Sequence, residues 1–181
     1  DVATGTAWLA AADPALARAL AIAGPLPLRR RPDGFAALFN VIIGQQVSTA
    51  SANAIWARLE AAGLTTPVPV IAAGEEGLRS LGLSRQKISY ALALAHAGID
   101  YDALRSAPDA QVISTLTAVR GIGVWTAEIY AMFALGRADV FAPGDLALQE
   151  AARMIFDLPE RPTEKALRQM ALDWSPWRAV A

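Results

Sequence analysis

The fold of this 181-residue chain is decided by the stretch Leu116-Thr117-Ala118-Val119-Arg120-Gly121-Ile122-Gly123-Val124-Trp125-Thr126-Ala127. A helical pattern of apolar residues runs into Gly121-Ile122-Gly123, and a second helical pattern begins directly after it. Glycine adopts backbone conformations that other residues avoid, so two glycines let the chain reverse within a few residues. The stretch therefore predicts two helices joined by a tight hairpin.

Backbone amides are the part of such a hairpin that can bind a ligand. Several of them point outward beside the N-terminus of the second helix, where they form a concave anion site that suits a phosphate oxygen. Such a site needs little positive side-chain charge. An ordinary connection between two helices uses the same glycine pattern, so the hairpin alone leaves a simple turn as the alternative.

The rest of the chain also favours helices. It is 54% apolar and rich in alanine, and no long stretch alternates apolar and polar residues as a half-buried strand does. We predict an all-α fold of about ten short helices. Six of them are expected at approximately 34–46, 50–62, 85–97, 108–119, 124–135 and 146–156.

Local signals mark the ends of these helices and one buried face. Side-chain oxygens that cap a helix N-terminus are expected at Asp13, Thr66, Ser84, Ser106 and Thr163. Glycines that end a helix are expected at Gly24, Gly63, Gly74, Gly98 and Gly136. Within 34–46, apolar residues recur at helical spacing, which predicts a buried stripe of Phe35, Leu38, Phe39, Ile42 and Ile43.

Composition excludes several classes of site. The chain has no cysteine and one histidine, which excludes disulfides, a cysteine nucleophile, and zinc or iron–sulfur centres bound by cysteine. Its net charge of −1 provides no global positive field, so an anionic partner has to be held by local features. No apolar run reaches the length of a membrane span, and we expect a cytoplasmic protein without a membrane partner.

Three further blocks of sequence combine with the hairpin block Arg120–Ala127. The order along the chain is Ile42-Ile43-Gly44-Gln45-Gln46-Val47-Ser48, the hairpin, and Asp139-Val140-Phe141-Ala142-Pro143-Gly144-Asp145-Leu146-Ala147-Leu148, with a weaker block Trp174-Ser175-Pro176-Trp177-Arg178. In order and spacing these blocks resemble the helix–hairpin–helix DNA glycosylases, and among them the AlkA-like 3-methyladenine DNA glycosylases of type II. The resemblance runs from about residue 33 to the end.

The resemblance implies two helical lobes and a reaction. We expect a central lobe over 32–138 that ends in the hairpin, and a second lobe built from 1–31 and 139–181 that carries a catalytic aspartate, with the base pocket between them. Members of the family flip a damaged base out of duplex DNA and hydrolyse its N-glycosidic bond. The implied partner is double-stranded DNA with alkylated bases, 3-methyladenine or 7-methylguanine, and the protein is expected to act as a monomer in base excision repair.

Asp145 occupies the position of the catalytic aspartate of that family. A developing sugar cation needs a fixed negative charge or a general base for water, and a carboxylate supplies either. Asp145 also precedes a predicted helix, where an aspartate is commonly just an N-cap. The two roles are compatible, because the amides and dipole of a helix N-terminus favour the anion. Asp139 is the nearest competitor and does not fall on the matching position.

Trp125 stands where the bifunctional members of the family have a lysine that forms a Schiff base with the sugar. The resemblance therefore implies hydrolysis without a lyase step, and the absence of cysteine excludes the iron–sulfur cluster that many lyase-type relatives carry. A tryptophan at this position lines the base pocket, where its face can attract a positively charged alkylated base. A core tryptophan remains the alternative.

DNA contacts are implied at two further places. Gln46, and after it Gln45, lie where the family inserts a side chain into the gap left by the flipped base, although many relatives have leucine at the second position. Gly121, Gly123, Thr126 and Arg120 are implied to hold the DNA backbone. We expect no cofactor, with a monovalent cation bound at the hairpin as an open alternative.

Two other functions remain open at this point. One is a DNA-binding module that uses the hairpin without catalysis, and the other is a glycosylase for deaminated or oxidised bases. Released bases distinguish these functions, because the first releases none and the second releases bases of a different kind.

Overall fold

A computed structural model describes all residues from 1 to 181 and contains only helices and their connections. The α-helices are α1 (Val2–Ala12), α2 (Pro14–Ala23), α3 (Phe35–Gly44), α4 (Thr49–Ala61), α5 (Pro67–Ser80), α6 (Arg85–His96), α7 (Tyr101–Ser106), α8 (Asp109–Thr117), α9 (Val124–Tyr130), α10 (Leu146–Ile155) and α11 (Glu164–Met170). A π-helix over Ala131–Leu135 follows α9, and a 3₁₀ helix over Ala171–Trp174 follows α11. The predicted all-α fold is confirmed.

Most predicted helix starts are correct, and one is wrong. The side chains of Asp13, Ser84 and Thr163 accept hydrogen bonds from amides of the first turns of α2, α6 and α11. Thr66 precedes α5 but makes no capping hydrogen bond, so Pro67 at the first position defines that start. Ser106 does not begin a helix. It ends α7, because Asp100 already caps the short preceding turn, and α8 begins after Pro108.

The chain divides into two compact units. One contains residues 31–130 and the other contains 1–30 together with 131–181. The predicted boundaries, 31/32 and 138/139, differ from these by one and eight residues. The larger difference arises because the π-helix after α9 belongs to the second unit, where the guanidinium of Arg30 donates to the carbonyl of Ala134 at 2.8 Å.

The 31–130 unit is built around α3, which packs against α4, α6 and α9. Its predicted stripe is buried along its whole length, as helical spacing requires for a central helix. The predicted helix over 34–46 begins one residue too early, at the N-cap Gly34, and runs two residues too far, because Gln45 is extended and Gln46 has a positive φ of 58°. The helix therefore ends at Gly44 and presents a sharp turn.

The 1–30 and 131–181 unit has its own core. Its centre is Trp174, whose ring stacks on Phe156 and meets Phe141 edge-on, with centroids 5.8 and 5.6 Å apart. Leu9, Leu16 and other apolar side chains of α1, α2, α10 and α11 surround this aromatic group. The weaker sequence block that contains Trp174 thus serves packing. None of the helices combines the length and apolarity that crossing a membrane would require.

Candidate functional site

The hairpin between α8 and α9 has a rigid base. The amide of Val119 donates to the carbonyl of Leu116 at 3.1 Å, and the amide of Ile122 donates to Val119 at 3.0 Å. The side chains of Val119 and Ile122 are buried, so they anchor the turn in the 31–130 unit. The backbone between α8 and α9 is therefore fixed by hydrogen bonds and packing before any ligand binds.

The two hairpin glycines have different tasks. Gly121 has a φ of 95°, and a methyl group placed on it would lie 2.3 Å from Cγ of Tyr90. Both the backbone and the packing therefore require glycine there. Gly123 is exposed, has no positive φ, and has no neighbouring heavy atom within 4 Å of where its Cβ would be. Folding does not require glycine at position 123, and its open face permits a ligand to approach the backbone closely.

Side chains beside the hairpin are distributed unevenly. Trp125 is 40% exposed, so its indole is not a core side chain of the structure. Arg120 is also exposed and can meet an anion. Thr126 is only 3% exposed, so its side chain is not presented to a ligand, and its contact with the DNA backbone stays a prediction. The second helical pattern places residue 126 on the inner face of α9, and the hairpin motif alone did not reveal which face that is.

The turn after α3 assigns different roles to its two glutamines. Nε2 of Gln45 donates to the carbonyl of Gly121 at 3.3 Å, so this side chain ties the turn to the hairpin. Gln46 is exposed and adopts a left-handed backbone conformation at the tip of the turn. Of the two predicted wedge residues, Gln46 is therefore the one presented to solvent, whereas Gln45 is a structural link. The link spans 76 residues of sequence and leaves no local signal.

Asp145 caps α10 in the other unit. Its Oδ1 accepts from the amides of Ala147 at 2.8 Å and Leu148 at 3.3 Å, so the predicted N-cap is present. The preceding loop is fixed as well, because the buried side chain of Gln149 donates to the carbonyl of Pro143 at 2.8 Å. The carboxylate of Asp145 thus sits on a loop that is held from both ends and cannot drift as a free surface side chain can.

Asp139 is engaged by an ion pair. Arg178 donates from Nε to Oδ1 at 2.8 Å and from its terminal nitrogen to Oδ2 at 2.7 Å, and the Ser175 hydroxyl donates to Oδ2 at 2.8 Å. The Arg178 fork, assisted by Ser175, lowers the pKa of Asp139. A carboxylate whose two oxygens both accept hydrogen bonds from a guanidinium is a poor general base for water. The geometry therefore separates Asp139, which joins two segments, from Asp145.

Tyr90 and Gln149 were absent from the sequence interpretation, and Arg178 appeared there only as the end of the weaker block Trp174–Arg178, without a role. Gln149 lies one helical turn after Asp145, so a polar residue on the inner face of α10 was a weak available signal. Tyr90 and Arg178 act across 31 and 39 residues and needed the fold to be seen. The structure has no group of three or more His, Asp or Glu side chains that could hold a metal ion.

Comparison with known proteins identifies the family of this chain. The model of the HhH-GPD superfamily of base excision DNA repair proteins matches residues 39–176, a range that includes the turn after α3, the hairpin and Asp145. The crystal structure of a DNA-3-methyladenine glycosidase from Bacillus halodurans is similar with a TM-score of 0.87 and 35% identity, over 95% of this chain and 82% of its own.

Two more relatives extend the comparison. The Schizosaccharomyces pombe 3-methyladenine DNA glycosylase in complex with abasic DNA matches with a TM-score of 0.84 and 25% identity, over 98% of this chain and 92% of its own. DNA-3-methyladenine glycosylase 2 of Escherichia coli is 29% identical over 163 residues, or 82% of this chain. The chain spans 55% of that Escherichia coli protein and 38% of a Bacillus subtilis relative.

Proposed function

Because this chain belongs to the HhH-GPD superfamily of base excision DNA repair proteins, we propose that it is a monofunctional DNA glycosylase for alkylated purines. Its substrates are 3-methyladenine and 7-methylguanine in double-stranded DNA. The observation that carries the proposal is the fixed carboxylate of Asp145, held by two amides of α10 on a loop that Gln149 pins. Relatives described as 3-methyladenine glycosylases support the choice of 3-methyladenine.

The reaction needs an anion that faces the sugar. As the bond between C1′ and the base nitrogen breaks, the base leaves with the bonding electrons and the sugar gains oxocarbenium character. Asp145 stabilises that charge and accepts a proton from the water whose oxygen bonds to C1′. Water and the chain's own side chains suffice for these steps. Preorganisation matters, because a carboxylate already fixed by Ala147 and Leu148 does not have to be ordered in the transition state.

The base is recognised by Trp125 in this proposal. Its exposed indole offers a face to the displaced base, and the ring quadrupole attracts a base that carries a positive charge. 3-Methyladenine and 7-methylguanine are cationic when attached to the sugar, so they gain from this contact. The undamaged purines are neutral and gain only stacking.

A lyase step is not part of the proposal. The chain has two lysines, and neither stands at position 125, where the bifunctional relatives have their amine nucleophile and this chain has tryptophan. The Lys87 amine donates to the carbonyl of Ile43, and Lys165 is exposed on α11. The expected product is therefore an intact abasic site together with the free base.

DNA is held chiefly by backbone groups. The open face at Gly123 and the amides that begin α9 receive a phosphate, with Arg120 beside them, and Gln46 enters the gap that the displaced base leaves. We propose that a cytoplasmic monomer carries out this reaction. An amide-based grip is compatible with a net charge of −1, since it requires few basic side chains.

Identification of released bases tests the proposal. Purified protein is incubated with duplex DNA methylated by a simple alkylating agent, and free bases are separated by chromatography while strand breaks are scored before and after alkali. The proposal predicts free 3-methyladenine and 7-methylguanine, with breaks only after alkali. Binding without release would indicate a DNA-binding module. Release of hypoxanthine or an oxidised base alone would indicate a glycosylase of different specificity.

A further inference from the structure

Lys87 is a buried cation to which the proposed reaction assigns no role. It lies in the first turn of α6 and is only 9% exposed. Its ammonium donates to the carbonyl oxygen of Ile43 at 2.5 Å, across 44 residues of sequence. Burial lowers the pKa of Lys87. Burying an ammonium is unfavourable unless it is well partnered, so this contact calls for a physical reason.

The acceptor of Lys87 explains the contact. Ile43 lies in the last turn of α3, where carbonyl groups have no intrahelical donor and the helix dipole is negative. A cation that binds there both satisfies an unpaired carbonyl and interacts favourably with the dipole. The next residues are Gly44, extended Gln45 and left-handed Gln46. Lys87 therefore holds the last turn of α3 directly before the turn that carries Gln46 at its tip.

The same face of α6 also contacts the hairpin. Tyr90 lies one helical turn after Lys87, and its ring occupies the space that a side chain on Gly121 would need. Gln45 completes the arrangement with its hydrogen bond to the carbonyl of Gly121. One short segment of α6 therefore bears on both the end of α3 and the hairpin, and the distance between these two elements is set by packed contacts within one unit.

We propose that Lys87 is a positioning residue, which fixes the end of α3 so that Gln46 stands at a set height beside the phosphate-binding hairpin. The inference rests on the proposed function, because Gln46 acts only on DNA from which a base has been displaced. Lys87 itself touches neither the base nor the sugar. Its loss lets the tip move, which weakens the insertion of Gln46 and leaves the hairpin's grip on the phosphate intact.

The test compares affinity for two duplexes. One contains a stable abasic-site analogue, which has a gap for Gln46, and the other is intact and reports the hairpin grip alone. Lys87→Met keeps the apolar stem and removes the donor. We expect its preference for the abasic duplex over the intact one to fall roughly tenfold, equivalent to about 1.4 kcal/mol, with intact-duplex affinity changed less than about twofold. Lys165→Met, at the other lysine and exposed, is the matched control and keeps the preference.

A second pair of variants separates positioning from general loss of structure. Gln46→Gly removes the wedge at a backbone angle that glycine tolerates, and in that background Lys87→Met should lower the preference no further. If Lys87→Met does not fold, Lys87→Gln serves instead, because its amide is one bond too short to reach Ile43 and should cause the same loss. Retained preference in a folded Lys87 variant, or losses that add to those of Gln46→Gly, would overturn the inference. Equal affinity of the wild-type protein for both duplexes would also overturn the inference, whereas the proposed function fails only if no alkylated base is released.

Discussion

Replacing Gly121 by alanine tests whether the hairpin geometry is built into the folded chain. The residue has a φ of 95°, which costs an alanine about 1–3 kcal/mol. A methyl group would also lie 2.3 Å from Cγ and 2.7 Å from Cβ of Tyr90. Relief of this contact requires Tyr90 or the hairpin to shift, and overpacking of this kind costs about 1–3 kcal/mol.

The two costs together predict a large loss of stability. Together they lower the free energy of unfolding by about 4 kcal/mol, which for a chain of this length lowers Tm by about 8–16 °C. In a Tyr90→Gly background, which removes Cβ as well as the ring, the clash is absent and only the backbone strain remains. The same Gly121→Ala change should then cost about half as much, a coupling that a double-mutant cycle measures directly.

Gly123→Ala is the matched control for this prediction. It changes the same hairpin by the same methyl group, but no heavy atom lies within 4 Å of that position and the backbone has no positive φ. Its stability should stay within about 0.5 kcal/mol of wild type. Thermal and urea denaturation of the four variants decide the matter. Equal stabilities of Gly121→Ala and Gly123→Ala would refute the division of tasks between the two glycines.

Four further outcomes follow from the hairpin, Trp125 and Asp139. Gly123→Val should weaken binding to all duplex sequences alike. For the wild-type protein, the plot of log affinity against log salt concentration should have a shallow slope of about −2 to −4. A slope near −8 would reveal extensive contacts from basic side chains. Trp125→Ala should slow release of cationic 3-methyladenine more than release of neutral hypoxanthine, and the two losses in activation free energy should differ by about 0.5–2 kcal/mol. Equal losses would show that Trp125 makes no cation–π contact with the base. Because Arg178 lowers the pKa of Asp139, this carboxylate stabilises the fold above about pH 4 and loses that effect as the pH falls through the lowered pKa. Asp139→Asn should therefore lower Tm at pH 7 and by progressively less as the pH falls below about 4, and a loss that does not depend on pH would contradict the ion pair.

Features set by local sequence were predictable in this chain. The buried stripe of α3 follows from helical spacing, and the caps at Asp13, Ser84 and Thr163 follow from side-chain chemistry next to an apolar helix. Both depend on residues within a turn or two of one another. Ser106 misled for the same reason, since capping chemistry does not reveal that a short helix already occupies its position.

Features set by distant contacts were not predictable. The link from Gln45 to the hairpin, the buried cation of Lys87 and the fork of Arg178 on Asp139 each join segments 39 or more residues apart. Thr126 is an example of a motif residue whose exposure the sequence does not reveal. It belongs to the predicted DNA-binding hairpin, but its side chain is buried in the folded chain. The sequence therefore indicated the candidate segments of the site. The structure distinguished the side chains that are exposed there from those that hold the segments in place.

Single-turnover base release by Asp145→Asn, measured beside wild type on the same 3-methyladenine duplex, tests whether the carboxylate of Asp145 drives the reaction. Asparagine keeps the capping oxygen that Ala147 and Leu148 require, so Tm and affinity for abasic-site DNA should be nearly unchanged. Removal of the charge should slow release by on the order of a hundredfold or more, and most for neutral bases, which depend more on the enzyme to leave. A folded Asp145→Asn protein that releases the base at close to the wild-type rate would contradict the claim and leave Asp145 as a helix cap alone.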